Sequence, residues 1–369
     1  MATSGESDGC NQATARVMLW CVPRSTSTAL LKCLTYVPNS QVWLEPYLMH
    51  YLFSSHGNNR EEVVSFFQDI WKATEKEGID EFGARITSAL LKCLTYVPNS
   101  QVWLEPYLMH YLFSSHGNNR EEVVSFFQDI WKATEKEGID EFGARITSGG
   151  YFAGDKSYNW IKEQLEAPLP DKKVVFVKDM CWGIAGYYGQ LPTGYRHTFL
   201  ICHPYRVFDS WKRMINRGID EDSNKLKITD QPNHHLPLGF HYEEQYDLYL
   251  YVKEHFDPNP VIIDTDDLLA DPGRVLKSYC EAVDIPYSDD LLRWTPGRKC
   301  MDQLWMTAKE QINVYNHIGH HRETFASIRF SKPSRLPDRS ELSEDVLYCC
   351  DRSMKYYEEM YRNKLIYRK

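Results

Sequence analysis

The feature that most restricts the fold of this chain is a series of five short apolar runs, each leading into a helical pattern. The first of them, VMLWC, is continuously apolar, which is typical of a strand that is buried on both faces of a parallel sheet. Strands that alternate with helices predict an α/β fold built on a parallel sheet. We expect the five strands at residues 17–21, 41–44, 173–177, 197–202 and 260–264.

Polar segments follow three of these predicted strands, at residues 23–28, 178–179 and 203–210. In an open parallel sheet, ligands bind outside the carboxyl ends of the strands. We therefore expect the chemistry of this protein at the edge where these three segments meet.

An exact repeat also bears on the domain organisation, because residues 29–88 and 89–148 are identical at all sixty positions. Solenoid repeats drift in sequence and need at least three units, so this pair does not predict a solenoid. Perfect identity between the two copies indicates either a recent tandem duplication or an error in assembling the gene, and the sequence does not decide between them.

We expect a disordered segment over residues 1–15 and one domain over residues 16–369. Only the first copy follows a strand and its turn, so the second is expected to be a redundant insertion that packs poorly; a rise in thermal stability on its deletion would test this.

Charge and cysteine usage restrict the partners and the compartment. The net charge of −9 argues against a general nucleic-acid-binding surface. The apolar stretch at residues 17–22 is far too short for a signal peptide or a membrane anchor. Ten cysteines without CxxC spacing are typical of reduced thiols. We therefore expect a cytoplasmic protein with no nucleic-acid or membrane partner; its oligomeric state is not predicted.

The 23–28 turn, PRSTST, lies between the first strand and the first helix and carries one guanidinium and four hydroxyls. A helix start presents unpaired N–H groups and partial positive charge, which favour a phosphate or a sulfate. The candidate anion ligands are Arg24, Ser25, Thr26, Ser27 and Thr28. An ordinary helix N-cap would explain one or two of the hydroxyls but not the whole run. The turn has no GxxxxGK[ST] pattern, which disfavours a kinase or an ATPase.

The strand followed by PRSTSTALL resembles the 5′-phosphosulfate-binding loop of the P-loop sulfotransferases. The usual form of that loop is Pro, Arg or Lys, Ser, Gly, Ser or Thr, Thr. Thr26 stands where the family usually has glycine, so we expect the turn to be built without a residue that adopts positive φ freely. The resemblance implies a P-loop parallel sheet flanked by helices, in the three-layer architecture of the sulfotransferases.

A second segment, HTFLICHPYRVFDSW, resembles the 3′-phosphate-binding segment of the same family. His203, Pro204 and Ser210 fall on its pattern, whereas Cys202 stands where the family has an arginine. Arg206 shares a helix face with Ser210 and is a candidate replacement for that guanidinium. The alternative for Arg206 is a solvated surface arginine.

A third segment, PVIIDTDDLLADPGRV, resembles the strand, acidic turn and helix that follow in the family. Asp271 and Pro272 are a favourable N-cap and first helical residue. The resemblance extends from residue 16 to about residue 287. The chain is also similar to sulfotransferase-like domains that are sometimes named branched-chain aminotransferase-like, although no part of it resembles a pyridoxal-phosphate domain.

The resemblance implies transfer of a sulfuryl group from 3′-phosphoadenosine-5′-phosphosulfate to a hydroxyl or amine of a small-molecule or glycan acceptor, without a metal. It assigns Arg24 to the leaving phosphate and Lys178 to the sulfuryl group. Cytosolic members carry Lys-x-His where this chain has Lys178, Asp179 and Met180, so Asp179 or Glu45 is the candidate base. The alternative is a nucleotide-binding or anion-binding protein that has lost catalysis. The histidines fit no standard zinc motif.

Overall fold

The computed structural model describes residues 14–54, 151–152, 156–169, 172–216, 226–231, 235–297, 305–308, 311 and 322–367. Residues 1–13 of the predicted disordered segment lie outside these ranges. The second copy of the repeat and most of the first copy lie outside them as well. The sequence also predicts a helix over residues 60–74, with Val63, Val64, Phe67 and Trp71 on one face, and this prediction falls outside the described residues.

The described residues form a sheet of seven strands in the order β3-β7-β2-β4-β1-β5-β6. Every pairing between neighbours is parallel, which confirms the predicted α/β class. The strands are β1 Ala15–Cys21, β2 Ser40–Leu44, β3 Tyr151–Phe152, β4 Val174–Met180, β5 Arg196–Ile201, β6 Val261–Asp264 and β7 Trp305–Ala308.

The described helices connect and cover these strands. They are α1 Ser27–Leu34, α2 Pro46–Ser54, α3 Tyr158–Glu166, α4 Pro204–Ile215, α5 Tyr242–His255, α6 Thr265–Ala270, α7 Pro272–Ala282, α8 Arg322–Ala326 and α9 Glu344–Arg362. The predicted cap of α7 is confirmed, because the Asp271 side chain accepts a hydrogen bond from the backbone N–H of Arg274 and Pro272 is the first helical residue.

Two strand boundaries differ from the prediction by more than one residue. β1 begins at Ala15, which was assigned to the disordered segment. β4 continues to Met180, three residues further than predicted. Lys178 and Asp179 therefore lie in the strand instead of after it. Polar residues can continue this buried strand because their side chains find partners inside the protein.

Strand β1 is central, with β4 on one side and β5 on the other. After β1 the chain passes through α1 to β2, which lies on the far side of β4. After β5 it passes through α4 and α5 to β6, which lies in the opposite direction across the sheet. Cys21, at the end of β1, is in register with Met180 and Leu200, so the three strands end at the same edge. This reversal of direction opens a crevice between the carboxyl ends of β1 and β5, which is where ligands bind in such sheets.

The packing around β1 fixes that edge in place. All side chains of residues 17–21 are fully buried, as the continuous apolar run predicted. Helix α1 is buried along its length, and it includes the fully buried Lys32. The Lys32 ammonium donates hydrogen bonds to the carbonyl oxygens of Thr324, Phe325 and Ser327, at 3.3, 2.9 and 3.3 Å. The helix that follows the 23–28 turn is thereby attached to the C-terminal part of the chain.

Candidate active site

The 23–28 turn joins β1 to α1 through two residues in the left-handed region of backbone conformation. The φ angles of Arg24 and Thr26 are 60° and 66°. Thr26 thus adopts a positive φ, although, as expected, it is not a residue that adopts this conformation freely. A β-branched residue is strained in this conformation, so the fold maintains the shape of the turn at a cost.

The four hydroxyls of the turn have different roles. Ser25 is buried and its Oγ donates a hydrogen bond to the carbonyl oxygen of Val22, at 2.7 Å, which closes the turn. Ser27 is buried and interacts with the Cys21 thiol. Thr26 is partly exposed. Thr28 Oγ1 is buried and has no hydrogen-bond partner among the described residues. Such an unsatisfied hydroxyl at a helix start is suited to an oxygen of a bound anion.

Arg24 connects the turn to α4 across the crevice. Its Nε donates a hydrogen bond to Ser210 Oγ, at 3.1 Å. Helix α4 begins at Pro204, and the His203 side chain before it accepts a hydrogen bond from the backbone N–H of Tyr205. The two segments that resemble the 5′- and 3′-phosphate-binding segments therefore meet at the carboxyl ends of β1 and β5.

Arg206 is paired inside the protein. Its Nε lies 2.6 Å from Asp266 Oδ1, and its Nη1 donates a hydrogen bond to Ser334 Oγ at 2.9 Å. Only 16% of its side chain is exposed, so the alternative of a solvated surface arginine is wrong. Asp266 already offsets the charge of the guanidinium. A role for Arg206 in place of the arginine missing at the buried Cys202 stays a prediction.

Glu45 and Lys178 form a buried ion pair at the ends of β2 and β4. Glu45 follows β2 directly, in a left-handed conformation, and its backbone N–H donates to the carbonyl oxygen of Lys178 at 2.7 Å. Its second carboxylate oxygen accepts a hydrogen bond from Gln311 Nε2. Burial by itself would lower the pKa of Lys178, but interactions with Cys21 and Glu45 outweigh burial and raise it. The lysine is therefore an ammonium, and Glu45 is its counter-ion.

Asp179 holds the start of helix α2. Its carboxylate accepts hydrogen bonds from the backbone N–H groups of Tyr47, Leu48 and Met180, at 2.6, 3.1 and 2.7 Å. Burial and the charge of Glu45 raise the pKa of Asp179 to about 8, against the effect of these three donors. The structure thus gives Asp179 a structural role, and its role as a base stays a prediction.

Two components of this site were not found from the sequence. Helix α2 was missed, although a proline directly after Glu45 is a recognised start signal for a helix. Gln311 was missed because an isolated glutamine belongs to no motif, and only the fold brings it to Glu45. Strands β3 and β7 were also missed, being two and four residues long.

Replacing Thr26 with glycine is expected to raise the free energy of unfolding by about 1 kcal/mol, because glycine has no Cβ that opposes positive φ. Urea unfolding of Thr26→Gly would measure the change. The matched control is Thr229→Gly, at an exposed threonine whose φ is not positive, and it should lower stability slightly. Equal destabilisation by both substitutions would contradict the assignment of strain to Thr26.

Comparison with known families finds a match over part of the chain. Residues 252–360, less than a third of the chain, match the family model described as Sulfotransferase domain. The matched region contains β6, which lies in the same sheet as β1. The 23–28 turn joins β1 to α1.

Two proteins of Arabidopsis thaliana are similar in sequence. Branched-chain-amino-acid aminotransferase-like protein 2 is 29% identical over 122 residues, which are 33% of this chain and 18% of that protein. Branched-chain-amino-acid aminotransferase-like protein 1 is 24% identical over 272 residues, which are 69% of this chain and 41% of that protein. The chain therefore spans less than half the length of these relatives.

Two solved structures are similar at low scores. The Sulfotransferase Domain from the Synechococcus PCC 7002 Olefin Synthase has a TM-score of 0.37 and 13% identity, covering 95% of this chain and 98% of that chain. The Sulfotransferase Domain from the Curacin Biosynthetic Pathway has a TM-score of 0.34 and 13% identity, covering 92% and 97%. Similarity at this level carries no structural argument.

Neither a membrane-spanning helix nor a metal-binding cluster is found within the described ranges. No helix there is long and apolar enough to cross a membrane. No group of three or more histidine, cysteine or acidic side chains there could hold a metal ion.

Proposed function

We propose that this chain is a sulfotransferase that uses 3′-phosphoadenosine-5′-phosphosulfate as the sulfuryl donor. The observation that carries the proposal is the arrangement at the crevice. A strained turn presents the unsatisfied Thr28 hydroxyl, and Arg24 reaches from this turn to Ser210 on the opposite helix. Strain that persists at a ligand-binding edge is typical of a functional site.

In this proposal the side chains of the protein stabilise negative charge and position the donor. The bound donor supplies the activated sulfuryl group. Arg24 stabilises negative charge on the phosphate side, while Thr28 Oγ1 and the N–H groups at the start of α1 bind anionic oxygens. Lys178 supplies a second positive charge at the adjacent strand end, and Glu45 holds its ammonium in place. The choice of base stays open between Glu45 and Asp179, because the carboxylate of Glu45 already binds Lys178 and Gln311, and that of Asp179 accepts from three backbone N–H groups.

A second candidate is a protein that binds the nucleotide without transferring the sulfuryl group. Two observations favour it. The position of the family's 3′-phosphate arginine holds the buried Cys202, and the nearby Arg206 is already paired with Asp266. The histidine of the cytosolic Lys-x-His motif is replaced by Met180, which is buried. This candidate predicts binding with no turnover on any acceptor.

Calorimetric titration with adenosine 3′,5′-bisphosphate tests both candidates. Wild-type protein should bind it, and Arg24→Ala should bind about 10–100-fold more weakly, since a charge-assisted contact is lost. The matched control is Arg196→Ala, which removes an exposed arginine at the amino end of β5, on the opposite edge of the sheet.

The outcomes separate the readings. Binding that is lost only in Arg24→Ala supports the nucleotide site, and sulfuryl transfer to a panel of alcohols and amines then decides between the two candidates. No binding by folded wild-type protein, or equal affinity in both variants, would overturn the proposal.

A further inference from the structure

A group of polar and aromatic side chains lies just beyond the candidate active site. The short helical turn Cys181–Ile184 follows Met180 directly, and α2 follows Glu45 directly. The two segments are in close contact, because a Cβ added to Gly183 would lie 2.8 Å from the backbone N and Cα of Leu48. The side chains that they carry are therefore held near the strand ends that place Lys178 and Glu45.

Glu244 lies in the first turn of α5, a helix that contacts the Cys181–Ile184 turn. Its Oε1 accepts a hydrogen bond from the backbone N–H of Gly239, at 2.9 Å. Its Oε2 is buried and has no partner among the described residues. Burial, followed by the Glu244 carboxylate, raises the pKa of Tyr51 on α2, and Glu244 also contributes to the raised pKa of Cys181, whose main cause is burial. Glu244 is therefore within electrostatic reach of both segments.

The charge of Glu244 is not compensated. Glu243, Glu244 and Asp247 form no ion pair in the described part of the chain. Burial, followed by its two acidic neighbours, raises the pKa of Glu244. A buried carboxylate oxygen without a donor is costly, so this one is suited to a positively charged ligand.

The imidazole of His241, at the start of the same helix, also lacks hydrogen-bond partners of normal geometry among the described residues. His241 is fully buried, with φ at 66°, and neither of its ring nitrogens has a partner of normal hydrogen-bond geometry among the described residues. Burial lowers the pKa of His241 to about 3, with the backbone of His235 opposing, so the ring is neutral and one nitrogen can accept. Its ring centroid is 4.1 Å from that of Trp182 and 5.2 Å from that of Trp211, which follows Ser210 in α4.

Trp182 adds a donor to this group. It is 7% exposed, and its indole N–H has no partner among the described residues. The cluster formed by Tyr51, Trp182, Tyr188, His241 and Glu244 thus offers one indole donor, acceptors on a carboxylate and an imidazole, and aromatic faces. Burial raises the pKa of Tyr188, with contributions from Asp247, Cys181 and Glu244, so Tyr188 is within electrostatic reach of the same carboxylate.

We propose that this cluster is the acceptor subsite and that it selects a hydroxylated amine. The ammonium group of the acceptor donates to Glu244 Oε2 and lies against the aromatic rings, which attract cations. The Trp182 N–H donates to a hydroxyl oxygen of the acceptor. The assignment as an acceptor subsite rests on the proposed sulfotransferase function, but the preference for a cation does not depend on it.

The test compares benzylamine with benzyl alcohol, which have nearly the same shape but differ in charge at neutral pH. Ligand-observed NMR titration of the full chain should show benzylamine binding at least about tenfold more tightly. Glu244→Gln should bring the two affinities close together, and the amide oxygen can still accept from Gly239. The matched control is Glu243→Gln, at the neighbouring exposed residue beside Tyr356, which should keep the preference.

Equal affinities in wild-type protein would overturn the proposal, and so would a preference that survives in Glu244→Gln. The wild-type comparison needs no variant to fold. Adenosine 3′,5′-bisphosphate is titrated into the same samples. If the bisphosphate does not bind but the amine preference is present, the proposed function fails while the cation-binding cluster stands.

Discussion

Replacing Lys178 with methionine is expected to lower the free energy of unfolding by about 3–5 kcal/mol, because Glu45 would then be a buried carboxylate without a counter-ion. Lys178 is fully buried and Glu45 is 3% exposed, so water cannot replace the lost ammonium. The same variant should lose any sulfuryl transfer. Equilibrium urea unfolding measures the first effect, and a transfer assay measures the second.

The double variant Lys178→Met/Glu45→Gln separates charge from packing. It removes both charges and keeps an amide oxygen that can accept from Gln311, so most of the lost stability should return. Lys212→Met is the control at a more exposed ion pair, with Asp345, and should cost less. A loss below about 1 kcal/mol in Lys178→Met would show that the pair is not desolvated.

Replacing Asp179 with alanine is expected to cost about 3 kcal/mol, because three backbone N–H groups lose their acceptor together. Two of them belong to the first turn of α2, so this helix should fray at its start. Hydrogen exchange of the Tyr47 and Leu48 amides measures the local effect, and urea unfolding measures the total. Asp271→Ala, which removes the exposed cap of α7, should cost about 1 kcal/mol. An equal cost in both variants would contradict the role of Asp179.

The pH dependence of Asp179→Asn gives an independent check. The pKa of Asp179 in the folded state is raised to about 8, from an ordinary value of 3.8. The folded state therefore retains a proton that the unfolded state releases between these values, and this group's contribution to stability falls as the pH rises through that range. The stability difference between wild type and Asp179→Asn should narrow from pH 5 to pH 8, by up to about 1.4 kcal/mol per pH unit. A difference that stays constant between pH 5 and pH 8 would show that the three N–H donors keep the carboxylate ionised.

The parallel sheet and the position of the hydroxyl-rich turn could be predicted because their signals are local in sequence. The run VMLWC predicted the buried central strand, and the hydroxyl-rich turn predicted the residues that reach the crevice. The sequence placed the segments that carry Arg24 and Ser210 at one edge, because each follows a strand, but it did not predict the hydrogen bond between them. The choice of this edge as the expected site followed from the general rule that ligands bind outside the carboxyl ends of parallel strands.

The partners of the charged residues could not be predicted, because they depend on packing between segments that are distant in sequence. The sequence gives no sign that Asp266 lies beside Arg206, or that Asp179 caps a helix which begins after another strand. The backbone of Thr26 was also beyond sequence reasoning, since threonine does not favour the conformation that this turn imposes.

The central position of β1 has a consequence for how the chain folds. Strand β1 can be paired on both edges only after β4 and β5 have been made, and the hydrogen bond from Thr198 to the carbonyl oxygen of Met18 spans 180 residues. Non-local pairing of this kind folds slowly and leaves an apolar strand exposed on the nascent chain. The second copy of the repeat lengthens the connection between β1 and β4 by less than a doubling, which adds under about 0.6 kcal/mol of closure entropy. The larger effect of the second copy would be kinetic, because sixty more residues must be translated before β4 and β5 can pair with β1.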